Sequence, residues 1–264
     1  MDLSSLIGLV LGFAALILGY VLEGGHVSAL VAQLSPYIII FGGTTGAVLL
    51  NFPLSELKKL PDLLKIVFTQ KNHSEVEIIN LLADLSEKAR KDGLLSLEQD
   101  AQAMENEFIK KGLSLVVDGI ETEVIKDILE RETYLNESIY ESGAKIFEAA
   151  GGYSPTMGVA GTVLGMISIL ADMSAPDELG HKISTAFIAT LLGVGFANLM
   201  FLPMAGKIKV KAAREKMISD LIIEGLLSIQ AGENPRIIRE KLNLALLEKM
   251  NGNVGSRQNA RAEG

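Results

Sequence analysis

The chain has 264 residues, a mean hydropathy of +0.33, no cysteine and a net charge of −8. The lack of cysteine excludes disulfide scaffolds and thiolate metal sites, and the negative charge argues against a nucleic-acid partner, because phosphate binding needs clustered Lys and Arg. Charged residues are concentrated in residues 51–152 and after Lys207, which leaves long apolar stretches between them.

Four of these stretches are long enough to cross a bilayer, which takes about 20 apolar residues in a helix. They are residues 5–22, 27–50, 153–171 and 183–204. The first has Asp2 where a signal peptide carries basic residues, and it lacks a small-residue cleavage site, so we predict a retained helix. The predicted fold class is all-α, an integral membrane protein with four transmembrane helices and a helical cytoplasmic domain between helices 2 and 3.

Basic residues beside the spans predict the orientation. The loop "EGGH" after the first span has no Lys or Arg, and the loop "DMSAPDELGHK" after the third has only Lys182. The second and fourth spans are instead followed by basic clusters: Lys58, Lys59 and Lys65, then Lys207, Lys209, Lys211, Arg214 and Lys216. Because basic residues favour the cytoplasmic side, both termini are predicted to be cytoplasmic.

The predicted domains are 1–50 (helices 1 and 2), 51–152 (cytoplasmic), 153–206 (helices 3 and 4) and 207–264 (cytoplasmic helix and disordered tail). In the cytoplasmic block, "EVEIINLLADLSEKAR" has helical spacing and stops at Asp92-Gly93. Ser96 is predicted to cap the next helix together with Gln99. Gly112 and Gly119 are predicted breaks before a long helix that continues into the third span, and residues 251–264 are predicted to be disordered.

Most enzymatic chemistry is missing from the sequence. It has no phosphate-binding Walker loop, no recognisable nucleophile context, and only His26, His73 and His181, which are far apart and suggest no metal site. We therefore predict neither an enzyme nor a bound cofactor. None of the four spans contains Asp, Glu, Lys, Arg or His away from its ends, although ion pathways usually need such a group. Either another subunit supplies a carboxylate, or the chain moves no ion.

Small residues indicate where the spans pack. Gly8 with Gly12, and Gly42 with Gly46, form Gly-x-x-x-Gly pairs that generic helix packing explains. The third span carries more small groups than one narrow contact needs, which favours several neighbouring helices or a thin-walled polar path. These groups are Gly158, Ala160, Gly161, Thr162 and Gly165.

The stretch "SPTMGVAGTVLGMI" and the later "ISTAFIATLLGVGFANLMFLP" resemble the last two spans of the A subunit of the bacterial flagellar stator, the MotA/PomA group of the MotA/TolQ/ExbB superfamily. "ARKDGLLSLEQD" is similar to that group's rotor-facing stretch. The resemblance covers almost the whole chain in order. It implies five A subunits around two single-span B subunits in the bacterial inner membrane, with H⁺ or Na⁺ passing a B-subunit aspartate and torque delivered to the rotor's switch protein.

The resemblance also assigns residues to the ion path. Thr190 and Phe187 match positions beside the B aspartate, and Thr162 and Ala160 belong to the same path. Sodium-type members of the group tend to have Thr at position 162, and a hydroxyl suits a cation that must exchange its hydration for oxygen ligands. The simpler alternative is a threonine that only bonds to its own helix.

Further roles follow from the same resemblance. Pro155 and Pro203 match prolines that bend and gate the third and fourth spans, although starting or ending a helix would also explain them. Arg90 and Glu98 match the rotor-contacting pair, although both signs also suit the helix ends where they occur. The third-span glycines (Gly158, Gly161 and Gly165) are expected to allow close approach of partner helices.

Two other functions stay open. The TolQ/ExbB branch energises outer-membrane processes and drives no flagellum, but those relatives have three spans and do not need the Arg90 and Glu98 pair. A scaffold that conducts no ion and only holds partner helices is the second alternative. Conductance on co-expression with a B subunit separates that scaffold from a motor.

Overall fold

A computed structural model describes residues 2–69, 74–171 and 176–262, and all the regular structure in these ranges is helical. The predicted all-α class is therefore confirmed. The α-helices are α1 (Leu3–Leu22), α2 (Val27–Val31), α3 (Leu34–Tyr37), α4 (Gly43–Asn51), α5 (Leu54–Leu57), α6 (Leu60–Phe68), α7 (Glu75–Asp92), α8 (Glu98–Ala103), α9 (Glu107–Val117), α10 (Thr122–Ala171), α11 (Pro176–Phe196), α12 (Leu202–Gln230) and α13 (Pro235–Ala262). Wider π turns at Ile38–Gly42 and Ala197–Phe201 join α3 to α4 and α11 to α12.

Four helical stretches of the described chain are long and apolar enough to cross a membrane, as predicted. The second begins at Leu34 and not at residue 27, because the backbone is extended at Gln33 and α2 forms a separate short turn. Gln33 Nε2 donates to Thr185 Oγ1 at 2.6 Å, and the Tyr37 hydroxyl donates to the Leu30 carbonyl at 2.9 Å. These bonds hold the break in place at the predicted outer end of the span.

The two predicted hinge prolines occupy different places in their helices. Pro155 lies inside the 50-residue α10, and Pro203 lies in the first turn of α12, directly after a π turn. A proline has no N–H, so the carbonyls of Gly151 and Leu199 lose their usual helical donors. Pro155 therefore weakens a helix that continues past it, and a helix boundary does not explain it. Pro203 lies where a proline at the start of a helix is common, so the simpler explanation stays open for it.

The chain divides into two compact units. The span unit comprises Met1–Gln70 and Ile139–Val210, and the charged unit comprises the rest. The predicted domain borders at residues 50 and 152 fall inside the span unit, because α6 and the adjoining part of α10 bury apolar side chains with α12. That cluster consists of Leu63, Val67, Ala144, Phe147, Ala205 and Ile208.

The charged unit has its own core from α7, α9, α10, α12 and α13, in which Leu82, Leu113 and Leu226 are fully buried. Gly93 has φ +84° and ends α7, and Gly119 has φ +69° and follows α9, so both predicted breaks are found there. Gly112 is instead inside α9, where Leu226 lies so close that a side chain at position 112 would not fit.

Two further expectations differ from the structure. Ser96 does not cap a helix with Gln99, because residues Leu94–Leu97 form a 3-10 turn in which the Ser96 hydroxyl donates to the Gly93 carbonyl at 2.7 Å. The helix α13 runs to Ala262 across the segment predicted to be disordered. Once a helix has nucleated, each added residue extends it at little cost.

Candidate functional site

The third and fourth spans meet at a contact that only small residues allow. A Cβ atom on Gly158 of α10 would lie 2.8 Å from the Ala189 carbonyl oxygen and 3.2 Å from the Gly193 Cα atom. A Cβ on Gly193 would lie 2.7 Å from the Ser154 carbonyl oxygen. These distances leave no room for a side chain at either position. We call this contact the glycine seam; it consists of Ser154, Gly158, Gly161, Thr162 and Gly165 of α10 with Ala186, Ala189, Thr190 and Gly193 of α11.

Hydroxyl groups bridge the glycine seam. Ser154 is fully buried and donates to the Gly193 carbonyl at 2.9 Å. About two turns further along α10, the Thr162 and Thr190 hydroxyl oxygens are 2.5 Å apart. Both threonines are half-buried, so the pair is reached from one side of the contact. The structure thus brings together the two hydroxyls that the family resemblance assigns to the ion path.

The hydrogen bonds of Thr162 indicate which of the two hydroxyls can still accept a ligand. Its oxygen is 2.8 Å from the Ala186 carbonyl on α11 but 3.3 Å from the Gly158 carbonyl on its own helix. A hydroxyl has one proton to donate, and the shorter bond crosses to the neighbouring helix. Thr190 then donates to Thr162 and keeps lone pairs for another ligand. Thr162 therefore does more than bond to its own helix, which was the simpler alternative.

The remaining ion-path residues lie on the surface of the chain. Phe187 is 62% exposed and Ala160 is exposed, so neither is enclosed by the chain's own helices. Pro155 is half-buried, and Pro203 is exposed at the edge of a cavity of about 300 Å³. An exposed aromatic side chain beside a span suits contact with lipid or another subunit.

The third-span glycines differ from expectation in what they contact. Gly161 and Gly165 lie against Ala189 and Ala186 of the chain's own α11, with would-be Cβ contacts of 2.9 and 2.8 Å. The room that these glycines provide is therefore filled within the subunit, because α11 returns antiparallel beside α10. Sequence reasoning missed Ser154 and Gly193, although the small residues of "AFIATLLGVG" at helical spacing carry the pattern that could have found them.

A second candidate surface lies at the turn after α7. Leu97 is fully buried and anchors the 3-10 turn, while Arg90 and Glu98 on either side are exposed. Among the described residues, neither has an ion-pair partner within 4 Å. Nearby charges are paired, as Lys88 with Asp100 at 2.7 Å shows.

The ion pair next to Arg90 contrasts with Arg90 and Glu98, which are unpaired among the described residues, and the pKa values of its two members show this. Lys91 and Glu87 form an ion pair at 2.5 Å. The hydrogen bond and charge of Lys91 lower the pKa of the Glu87 carboxyl, and Glu87 raises the pKa of Lys91 in the same way. The two charges predicted to meet the rotor are thus left available on a fixed turn, whereas Lys88 and Lys91 beside them are paired with carboxylates.

The described residues contain no group of three or more His, Cys, Asp or Glu side chains placed to hold a metal ion. His73 and the side chain of His181 lie outside the part of the chain that the structure describes.

Replacing Gly161 by Leu tests the glycine seam. We expect Gly161→Leu to lower the thermal stability of the purified chain, because the new side chain meets Ala189, and overpacking typically costs about 1–3 kcal/mol. The matched control is Gly152→Leu on the same helix, where a Cβ meets nothing within 4 Å and stability should be unchanged or raised. Equal melting temperatures for the two variants would show that residue 161 does not pack against α11.

Known proteins resemble this chain over nearly its full length. Residues 100–222 match the MotA/TolQ/ExbB proton channel family, and residues 6–93 match the motility protein A N-terminal family. Motility protein A of Bacillus subtilis (strain 168) is 42% identical over 94% of this chain and 92% of its own length. Chemotaxis protein PomA of Vibrio alginolyticus is 32% identical over 94% of this chain and 96% of its own length.

Solved structures agree with the sequence matches. A chain of the C. jejuni MotAB structure superposes with a TM-score of 0.88 at 32% identity, covering 93% of this chain and 96% of that one. A chain of the flagellar MotAB stator complex from Bacillus subtilis gives 0.86 at 41% identity, covering 92% and 95%. The chain therefore belongs to the MotA/TolQ/ExbB proton channel family and, within it, to the motility protein A group.

Proposed function

We propose that the chain is the A subunit of an ion-driven flagellar stator that, with a B subunit, conducts H⁺ or Na⁺ across the bacterial inner membrane and turns the ion-motive force into torque. The observation that carries this proposal is the match in sequence and fold to chains of MotAB stators over more than nine-tenths of the chain. The match to the motility protein A N-terminal family favours it over a TolQ/ExbB-like energiser.

The chemistry of the spans supports a shared ion path. The four spans offer hydroxyls and backbone carbonyls but no carboxylate, so the charge that receives the ion comes from elsewhere. A single-span B subunit with an aspartate at the depth of Thr162 and Thr190 supplies it. One charge crossing the membrane yields about 2.3 kcal/mol per 100 mV, so each step has little free energy and the path must avoid deep wells.

The outer surface of the glycine seam supports contact with other subunits. Val159 and Val163 are each 52% exposed on α10, and Phe187 is exposed on α11. In a ring of five A subunits around two B subunits, these side chains face neighbours. The basic residues that follow the second and fourth spans support a cytoplasmic position for both termini.

The turn after α7 is the part that acts on the rotor's switch protein. Arg90 and Glu98 present opposite charges that no residue in the described part of the chain pairs with. Complementary charges speed encounter and set register more than they tighten binding. Such a contact suits a stator that must release the rotor after each step.

Charge reversal tests the rotor contact in cells that depend on this chain and its B subunit for swimming. Arg90→Glu or Glu98→Lys should impair swimming while leaving membrane insertion and B-subunit co-purification intact, and reversal of the opposing rotor charge should restore part of it. The matched control is Lys91→Glu, one residue away, whose side chain is already paired with Glu87. If cells with each of the two variants swim normally at low and high salt, Arg90 and Glu98 do not contact the rotor and serve only as charges at helix ends.

The threonine pair points to sodium as the coupling ion. Sodium is a hard cation that prefers oxygen ligands, and Thr190 keeps lone pairs free while Thr162 holds it in place. The B carboxylate beside this pair completes the site.

Swimming speed measured against external sodium, at fixed pH and membrane potential, tests the coupling ion. Speed should rise with sodium in the wild type, and Thr162→Ala should weaken that dependence by removing one oxygen and releasing Thr190. The control is Thr156→Ala, because that exposed hydroxyl only donates to the Tyr153 carbonyl of its own helix. A wild-type speed that ignores sodium would return the chain to the proton-driven class.

A further inference from the structure

The start of α1 contains a buried carboxylate that the ion path does not use. Asp2 is only 8% exposed, although it is the second residue of the chain. Its Oδ1 accepts from the Ser4 hydroxyl at 2.7 Å and from the Ser5 N–H at 3.3 Å, and its Oδ2 is 2.8 Å from Lys207 Nζ. A buried charge is costly unless it is paired and hydrogen-bonded, and Asp2 meets both conditions.

These contacts join three helices of the span unit. The Asp2 N–H donates to the Phe68 carbonyl at 2.8 Å, and the Ser5 hydroxyl donates to the Val67 carbonyl at 3.3 Å. The last carbonyls of α6, which lack helical donors, are thereby satisfied by the first residues of α1. Lys207 of α12 also donates to the Ser4 hydroxyl at 3.1 Å. We call this set the N-terminal latch: Asp2, Ser4, Ser5, Lys207 and the carbonyls of Val67 and Phe68.

The N-terminal latch holds α12 just past a π turn and a proline. Lys207 lies about one helical turn after Pro203, which cannot donate to the Leu199 carbonyl. The π turn Ala197–Phe201 precedes Pro203. After Pro203, the side chains of Ala205 and Ile208 are buried on either side of Lys207 in the sequence. The latch therefore adds an ion pair where α12 also makes apolar contacts.

Space beside this segment allows it to move. The cavity of about 300 Å³ is bordered by Leu199, Met200 and Pro203 on one side and by Gly8 and Leu9 of α1 on the other, with Lys207 at its edge. A Cβ on Gly8 would meet nothing within 4 Å, so α1 leaves the space open. Residues 197–203, which hold the π turn and the proline, therefore border this cavity between the threonine pair and the latch.

We propose that Asp2 is a positioning residue of the stator: its ion pair with Lys207 fixes the start of α12, so that movement around the threonine pair is taken up at residues 197–203. The inference rests on the proposed ion conduction. Without the latch, the same movement displaces α12 as a whole. The threonine pair then changes its position less reproducibly when an ion passes.

Neutral variants test the latch in complexes with the B subunit. Asp2→Asn keeps a side-chain oxygen that can cap α1 but removes the charge facing Lys207. We expect ion flux and swimming torque, each normalised to co-purified B subunit, to fall by about tenfold, the scale set by losing one hydrogen bond between charged groups. The control is Glu148→Gln, which removes the exposed partner of Lys209, two residues further along α12, at 2.6 Å.

The double variant Asp2→Asn with Lys207→Gln shows whether the two residues act together. It should conduct better than Asp2→Asn alone, because removing both partners leaves no unpaired buried charge. Additive losses would overturn the latch. Reduced B co-purification with normal flux per complex would also overturn it, since that result describes assembly alone.

A distance measurement tests the latch without ion flux. The chain has no cysteine, so spin labels at Leu3→Cys and Val210→Cys, both exposed positions, report one distance when labelled subunits are diluted with unlabelled ones. The distribution should be narrow with Asp2 and broad with Asp2→Asn. Identical distributions would contradict the proposal, whereas an absence of flux in the wild type would contradict the proposed function and leave this measurement valid.

Discussion

The close approach of the α10 and α11 backbones at Gly158 and Gly193 is the constraint on which the rest of the membrane site depends. Because no side chain fits there, the hydroxyls of Thr162 and Thr190 come within 2.5 Å of each other, and Ser154 can bond across the same contact. A bulkier residue would separate the helices and divide the threonine pair. The subunit's own helices thus build a narrow polar strip between α10 and α11.

That strip has acceptors and donors but no charge of its own, and the proposed ion path therefore divides the work between subunits. A fixed carboxylate in the same span would bind an ion in one place. In the proposed path, neutral hydroxyls bind an ion more weakly than a carboxylate does, so the ion is not held in one place. The turn carrying Arg90 and Glu98 follows the same logic, since exposed charges on a rigid turn form contacts that break easily.

Hydropathy and turn chemistry predicted most of the architecture, because spans depend on local composition, and Gly93 and Gly119 depend on local backbone conformation. Tertiary contacts decided the remainder. Gly112 looks like a break but lies inside a helix because Leu226 crosses it closely, and Gln33 breaks the second span through a bond to Thr185, 152 residues away. The family resemblance supplied the threonine pair, whereas the α11 residues that complete the glycine seam required coordinates.

Ion flux into vesicles is the most direct test of the central claim that this subunit supplies the hydroxyls and its partner the carboxylate. Vesicles with the chain alone should show no H⁺ or Na⁺ flux above the lipid background. Vesicles with the chain and its B subunit should conduct, and replacing the B-subunit aspartate by Asn should abolish that flux. Conduction by the chain alone, or by a complex without the carboxylate, would contradict the account.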